Sequence, residues 1–132
     1  MSAREVETEL ANRLKNRKDY TIRRSIDARS KVIPFVLINT EGIEPLHQGA
    51  SLQIYTIGVS LFGPQAYPDD EENTAEAHVL MHRELGEAIN GVLENDILAN
   101  RWTLSNCVET PPTIAQINDQ EYWQSGFELT FQ

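Results

Sequence analysis

Residues 121–131, EYWQSGFELTF, alternate between apolar and polar side chains. The odd positions include Trp123, Phe127, Leu129 and Phe131, and the even positions are mostly polar. A period of two with one apolar face predicts a half-buried β-strand. The apolar face of such a strand must be covered by another element, so we expect a sheet that packs in layers.

Two earlier segments are also expected to be strands. Residues 32–39, VIPFVLIN, are nearly all apolar, which is typical of a strand that is buried on both faces. Residues 51–63, SLQIYTIGVSLFG, are β-rich, but their apolar positions change phase. This change predicts a bulge near Thr56–Gly58, or a strand whose two halves bury opposite faces. The intervening residues 40–49, TEGIEPLHQG, contain two glycines and a proline and are expected to form a loop.

The segment RWTLSNCVET, residues 101–110, alternates as well, with Trp102, Leu104 and Val108 on one face. It is predicted to pair with residues 121–131 as an antiparallel hairpin. The ten residues between the two segments begin with two prolines and would form a long connecting loop.

Two segments have the apolar period of an amphipathic helix. Residues 3–16 carry a narrow apolar stripe, and residues 74–93 carry the stronger pattern. The stripes consist of Ala3, Val6, Leu10 and Leu14 in the first helix, and of Ala77, Met81, Leu85, Ala88, Ile89 and Val92 in the second. The polar and basic residues 17–31 are expected to form an arm, a loop or an exposed strand.

These elements predict an α+β fold with the order α-β-β-α-β-β. An antiparallel β-sheet would have one main helix packed on a face. The 132 residues suit a single domain. Within it, residues 1–16 would form the N-terminal helix, residues 17–31 a basic arm or loop, and residues 32–132 the sheet-and-helix core.

The net charge of −9 is unevenly distributed. Residues 1–31 hold nine of the eleven Lys and Arg residues and five acids, whereas residues 32–132 hold two basic residues and fifteen acids. The acidic majority of the surface would repel phosphates, which disfavours binding of nucleic acid through a basic groove. The asymmetry suits head-to-tail self-association, in which the basic end of one copy meets an acidic side of the next. The alternative is an ordinary solvated amphipathic helix followed by an acidic domain.

Neither a membrane anchor nor a secretion signal is expected. No apolar run approaches the roughly 18 residues that a membrane-spanning helix needs, and the charged first residues lack the apolar core of a signal peptide. The single cysteine, Cys107, cannot form an internal disulfide, which fits assembly in a reducing cytosol.

Few residues could carry catalysis or bind a metal. His78 and His82 are one helical turn apart, a spacing that can hold a metal, but no third ligand is evident nearby. The pair is therefore expected to be solvent-facing or at a boundary. Cys107 is expected to be a small buried or boundary residue. The chain has no GxSxG motif and no glycine-rich phosphate loop, so no catalytic residue, cofactor or metal site is predicted, and an enzyme is not expected.

Over nearly the whole chain, this pattern resembles the tail terminator, or tail-completion, proteins of tailed bacteriophages. The resemblance depends on the short N-terminal helix, the strands VIPFVLI and SLQIYTIGVSLF, the helix EAHVLMHRELGEAINGVL, and the closing hairpin of RWTLSNCVE and EYWQSGFELTF. These are patterns rather than invariant residues. The family has no catalytic residues to carry over.

The resemblance implies a structural virion protein of the tail or neck, assembled in the host cytoplasm. Its copies would form a ring, usually a hexamer, that caps the finished tail tube and joins it to the head-neck (connector) proteins. A sheath protein would be a further partner, and DNA would pass through the pore without specific binding. Neighbouring copies would be joined by the basic segment and by the acidic loop before the main helix. The candidate interface residues are Arg23, Arg24, Arg29, Lys31, Asp69, Asp70, Glu71 and Glu72.

Two other functions fit the same sequence. A head-closure or neck adaptor protein of the same virion also forms a ring and differs in its binding partner. A small ligand-binding α+β domain would need a pocket with converging polar groups, for which His78, His82 and Cys107 are the candidates.

Overall fold

The structure is a computed structural model that describes residues 3–17, 21–23, 35–45, 53–64, 71–99, 101–117 and 120–132 of the 132-residue chain. These residues form two helices and six strands. In chain order the elements are α1 (Ala3–Arg17), β1 (Ile22–Arg23), β2 (Phe35–Pro45), β3 (Gln53–Pro64), α2 (Glu71–Val92), β4 (Ile97–Leu98), β5 (Trp102–Ile117) and β6 (Gln120–Phe131).

The six strands form one mixed sheet that curls into a half-barrel. The strand order is β1-β2-β3-β6-β5-β4. β1 runs parallel to β2, and every other neighbouring pair is antiparallel. The last of the strands along the chain, β6, therefore lies inside the sheet, between β3 and β5.

The predicted fold class is wrong. The described residues are mostly β rather than α+β, the order is α-β-β-β-α-β-β-β, and the sheet is mixed rather than antiparallel. Both helices contribute to the core, not one main helix alone. β4 is not predicted, and β1 lies in residues 17–31, for which an exposed strand is one of three expectations but which the predicted order leaves out. Each of these strands contains two residues, which is too few to give a period, and β1 makes the parallel pair.

β2 and β5 extend into segments that the sequence predicts to be loops. β2 continues through residues 40–45, where Glu41 is an extra residue that makes a bulge opposite β3. The bulge expected near Thr56–Gly58 thus lies on the neighbouring strand, and β3 itself pairs regularly with β6. β5 continues through Pro111 and Pro112, where its register against β6 shifts. Prolines are tolerated at these positions because an edge strand needs no partner for every N–H.

The main core lies between the two helices and the inner face of the sheet. The alternation predicted for β6 is confirmed at Leu129 and Phe131, which are fully buried. The stripe predicted for α1 is confirmed as well, since all four of its residues are buried. Each large apolar side chain that is fully buried stabilises the fold by roughly 1.5–3 kcal/mol.

A smaller cluster lies on the outer face of the sheet. The rings of Phe35 and Phe62 stack with their centroids 5.0 Å apart, and Leu37 is buried beside them. Val36 and Ile38 point to the inner face and belong to the main core. The described part of VIPFVLIN is therefore buried on both faces over its first four residues, as the apolar run predicts.

Candidate interaction site between α2 and the open edge of β5

β5 is an edge strand along most of its length. β6 pairs with it on one side, whereas on the other side β4 pairs only with Trp102 and Thr103. From Ser105 onwards, none of the described strands pairs with the edge of β5 that lies opposite β6. An uncovered edge presents unpaired backbone N–H and C=O groups, to which another extended segment can bind.

Two irregularities divide this edge. Ser105 is an extra residue relative to β6, and Pro111 and Pro112, which carry no N–H, lie in a second shift of register. The stretch Asn106–Thr110 between them pairs regularly with β6 and keeps all of its N–H groups. It is therefore the part of the edge best suited to accept an added strand.

The extra residue at Ser105 also determines which side chains face α2. Beyond it, Cys107 and Glu109 lie on the inner face, and Val108 lies on the outer face with 48% of its surface exposed. The sequence pattern predicts that Val108 shares a face with Leu104. This prediction is wrong because a one-residue bulge moves every following side chain to the other face.

An open groove of about 460 Å³ lies between α2 and this stretch of β5. Phe127 of β6 is one of its apolar walls, and Gly86 of α2 leaves room for that ring, since a Cβ at Gly86 would approach Phe127 Cζ to 2.9 Å. Three exposed charged residues also line the groove: Arg83, Glu87 and Glu109. Apolar walls with a few charged groups are typical of a surface that receives side chains from a partner.

His82 and Glu109 connect the two sides of the groove. His82 Nε2–H donates a hydrogen bond to Glu109 Oε1 at 2.6 Å, and the imidazole stacks on the ring of Phe127 with centroids 4.8 Å apart. The histidine is buried, whereas the Glu109 side chain is 61% exposed. The pair therefore fixes the spacing of α2 and β5 while the carboxylate stays accessible to a partner.

His78 is the second buried histidine of α2. Its Nε2 forms a hydrogen bond of 2.8 Å with Ser125 Oγ, and its ring stacks on Trp123 with centroids 6.1 Å apart. Burial, with a smaller contribution from the charge of His82, lowers the pKa of His78 to about 4. His78 is thus neutral at physiological pH and serves the packing of α2 on β6.

The prediction that the two histidines are solvent-facing or at a boundary is wrong, since both are buried. They replace the exposed Ala77 in the stripe that packs on the sheet. Each uses its Nε2 atom in a hydrogen bond. In the part of the chain that the structure describes, no three His, Cys, Asp or Glu side chains are grouped so as to hold a metal ion.

Cys107 lies in the groove and is exposed rather than buried. The groove partly shields the sulfur from solvent, and this desolvation, with a further contribution from the carboxylate of Glu109, raises the pKa of the Cys107 thiol. A thiol with a raised pKa is a poor nucleophile at neutral pH, because the thiolate is the reactive form. The groove therefore lacks an activated cysteine.

The apolar surface continues from the groove onto the outer face of α2. Val79 and Leu80 are exposed there, and Val79 and Arg83 also line the groove itself. Large apolar side chains that are exposed next to one another indicate a surface that is covered in an assembly.

Among the eight predicted interface residues, the structure describes the side chain of one. Arg23 ends β1 at the opposite edge of the sheet from β5, with its guanidinium carbon 5.8 Å from the ring centroid of Phe35. Glu71 and Glu72 form the first residues of α2, and their side chains are outside the description. The positions that lie outside the described residues are Arg24, Arg29, Lys31, Asp69 and Asp70. The contact between the basic and acidic sets stays a prediction.

The sequence pattern does not reveal the groove, because the two prolines after Thr110 favour a connector. The same two prolines are also a signal in the sequence for the open edge, since prolines within a β-rich segment indicate an edge strand. Ile114 is a second signal in the sequence, because a β-branched residue shortly after the prolines favours a strand that continues beyond them.

Comparison with protein-family models finds no family that matches this chain, and no curated protein matches it. Neither of the helices in the described ranges is long and apolar enough to cross a membrane.

Proposed function

We propose that the protein is a ring-forming structural subunit of a bacteriophage tail, a tail terminator that caps the tail tube and joins it to the head-neck proteins. The ring would contain six copies, the usual number in the family that the sequence resembles. The observation that carries the proposal is the open edge of β5 beside the groove along α2. Among the described residues of a single copy, no strand pairs with this edge beyond Thr103.

Exposed apolar side chains surround the open edge and support self-association. They lie on the outer face of α2 and along β5, and between 44% and 53% of each is exposed: Val79, Leu80, Val108 and Ile114. Removing such side chains from water is the main favourable contribution to the association of subunits.

The distribution of charge supports a head-to-tail contact rather than a symmetric dimer. Two identical acidic surfaces repel each other, whereas an acidic surface and a basic segment attract. A contact between two different surfaces is heterologous, and its repetition about an axis closes into a ring. Such a ring would present mostly acidic residues to DNA in its pore, so the DNA would slide rather than bind.

The chemistry of the groove supports a structural rather than a catalytic role. His78 and His82 are engaged in hydrogen bonds that hold α2 on the sheet. The raised pKa of Cys107 keeps it in the unreactive thiol form. A ligand-binding role would require free polar groups that converge on the groove, whereas His82 and Glu109 are already hydrogen-bonded to each other. The other polar side chains that line the groove are those of Arg83, Glu87, Asn90 and Cys107.

Native mass spectrometry and light scattering over a concentration series, at low and moderate salt, test the proposal. We expect a discrete ring-sized species that dissociates as the salt concentration rises, because charged contacts are screened. The purified protein should also stop the growth of polymerising tail tube protein at a defined length. A monomer at every concentration that leaves tube growth unchanged would contradict the proposal. A ring that binds the connector but not the tube would instead assign a neck adaptor.

A further inference from the structure

We infer that the groove between α2 and β5 accepts residues 24–31 of a second copy, RSIDARSK, as a strand added to Asn106–Thr110. This inference rests on the proposed ring and names the contact that would build it. The bound segment would pair its backbone with the open edge, and alternate side chains would enter the groove.

The topology places the donor and the acceptor at opposite edges of the sheet. Arg23 in β1 precedes the donor segment and Phe35 in β2 follows it, so residues 24–34 begin and end at the β1–β2 edge. Measured along the curled sheet, the acceptor strand β5 is four strand spacings away from β1, or about 19 Å.

A copy cannot lay this segment along its own β5. A chain of eleven residues that leaves one edge and returns to it reaches about 18 Å at full extension, since five to six residues must span the distance each way. At most its tip would reach β5, and too few residues would remain to pair along Asn106–Thr110. The same segment reaches a neighbouring copy whose β5 lies beside the β1–β2 edge, which is a head-to-tail contact.

The charges of the groove favour this occupant over other parts of a second copy. The donor segment has three basic residues and one acid, whereas the groove carries Glu87 and Glu109 beside Arg83. Pairing of two β5 strands would place one Glu109 near another. The exposed part of β2 would bring Glu41 and Glu44 to the same acidic groove. Like charges on adjacent strands are destabilising, so both alternatives are disfavoured.

The side-chain pattern of the segment also matches the groove. In an extended conformation Arg24, Ile26 and Ala28 share one face, since side chains alternate with a period of two. Ile26 would contact the apolar wall at Phe127, and Arg24 would approach the exposed carboxylate of Glu109. The hydrogen bond from His82 holds that carboxylate in place.

The test is a charge-reversal cycle in the full-length protein, read out as the concentration at which half of the copies are assembled. We expect Glu109→Arg and Arg24→Glu each to raise this concentration at least about tenfold, and the double variant to recover most of the loss, because reversal restores the attraction. Glu94→Arg, an exposed acid in the turn after α2, is the matched control and should change it little. Circular dichroism verifies that each variant is folded.

Hydrogen exchange gives a second readout, in which the amides of Asn106–Thr110 should gain protection on assembly. A ring that forms equally well with both reversals, or that leaves these amides unprotected, would overturn the inference and leave the proposed ring intact. A loss of assembly in Glu44→Arg with none in Arg24→Glu would assign β2 as the donor and would overturn it too.

If the wild-type protein stays monomeric, a fluorescent peptide of residues 21–34 separates the two proposals. Binding of this peptide to the monomer, weakened at least about tenfold by Glu109→Arg and not by Glu94→Arg, would support the groove while the ring fails. Absence of binding, or binding that does not depend on Glu109, would overturn the inference as well.

Discussion

His78 of α2 and Ser125 of β6 form a hydrogen bond of 2.8 Å between two buried side chains, so helix and sheet are joined by a polar contact inside the core. The other ring nitrogen, Nδ1, faces Gly63, where a Cβ would lie within 2.8 Å of it. His82 follows one turn later, and Trp123 stacks on the ring. A proton on His78 would place a positive charge among apolar side chains and close to His82, so the protonated form is disfavoured.

We predict that the protein loses stability between pH 6.5 and about 4 because of His78. In this window the unfolded chain binds a proton that the folded chain does not, so the free energy of unfolding rises with pH and the contribution is complete above pH 6.5. Over the full window, the lowered pKa of His78 changes the free energy of unfolding by roughly 3 kcal/mol. Urea denaturation of wild type and His78→Gln at pH 7 and pH 4.5 measures it.

Ser125→Ala is the control for this pH dependence. It removes the hydrogen bond but leaves the histidine, so it should lower stability at both pH values and keep the difference between them. If His78→Gln retained the full pH dependence of the wild type, the assignment to His78 would be wrong.

We predict that Gly126→Ala destabilises the protein by about 2 kcal/mol, as expected for overpacking in a rigid surrounding. Gly126 lies between β3 and β5, and a Cβ there would collide with the carbonyl oxygen of Val59 and lie 2.9 Å from Ser60 Cα. These are backbone atoms of a paired strand and cannot move aside. Thermal unfolding measures the loss, and Gly42→Ala is the control, since its nearest neighbours lie at 3.9 Å. Equal effects of the two substitutions would contradict the steric explanation.

Glu41 and Glu128 are neighbours on the outer face of the sheet, and a hydrogen bond between them requires one of the two carboxyl groups to hold a proton. Burial, then this hydrogen bond, then the charge of Glu128 raise the pKa of Glu41. The shared proton therefore adds to the free energy of unfolding below pH 4.5, and this contribution is lost as the pH rises through the raised pKa of Glu41.

We predict that Glu41→Gln stabilises the protein at pH 8 and that the gain disappears near pH 4. The amide donates a hydrogen bond to Glu128 without a second charge. The gain should be about 0.5 kcal/mol, because solvent screens a largely exposed pair. Chemical denaturation at both pH values measures it. Glu44→Gln, on the same strand, is the control, and a gain that is equal at pH 4 and pH 8 would exclude the shared proton.

Arg17 at the end of α1 donates a hydrogen bond from Nη1 to the carbonyl oxygen of Gly91, 3.2 Å away in the last turn of α2. Gly91 is required for this approach, since a Cβ there would collide with the guanidinium group. The contact places a cation at the negative end of the α2 dipole.

We predict that Arg17→Ala lowers the free energy of unfolding by about 1 kcal/mol, the amount typical of a hydrogen bond from a charged group at a helix end. Arg13→Ala is the matched control in the same helix. It removes an exposed pair with Glu9 within α1 and should cost about 0.3 kcal/mol. Unfolding by urea compares the two, and a smaller cost for Arg17 than for Arg13 would show that the contact with Gly91 is weak.

The sequence predicts those parts of the fold in which burial repeats with a regular period. The stripe of α1 and the alternation of β6 are examples, because one face of each is covered along its length. Prediction from the sequence fails where a single extra residue changes the phase of the side-chain alternation, as Glu41 does in β2 and Ser105 does in β5. It also fails where pairing is set by distant strands, as for the two-residue strands β1 and β4.

The interaction site illustrates the same limit. Its parts are a polar residue on the buried face of a helix, His82, and an acid on an edge strand, Glu109, which are 27 residues apart. Neither position is unusual in its own segment. Their relationship depends on the bulge at Ser105, which turns Glu109 towards α2. No local sequence pattern predicts the contact between His82 and Glu109, because the contact results from the register of β5 against β6.

The interior position of β6 has a consequence for synthesis on the ribosome. β3 ends at Pro64 and β6 begins at Gln120, so the ribosome needs on the order of several seconds to reach the strand that joins β3 to β5. Until then β5 has no strand to hold its register, and its outer side cannot present an ordered edge. We expect a nascent subunit to be unable to recruit neighbours before its own sheet is complete, so that translation itself delays assembly until folding has finished.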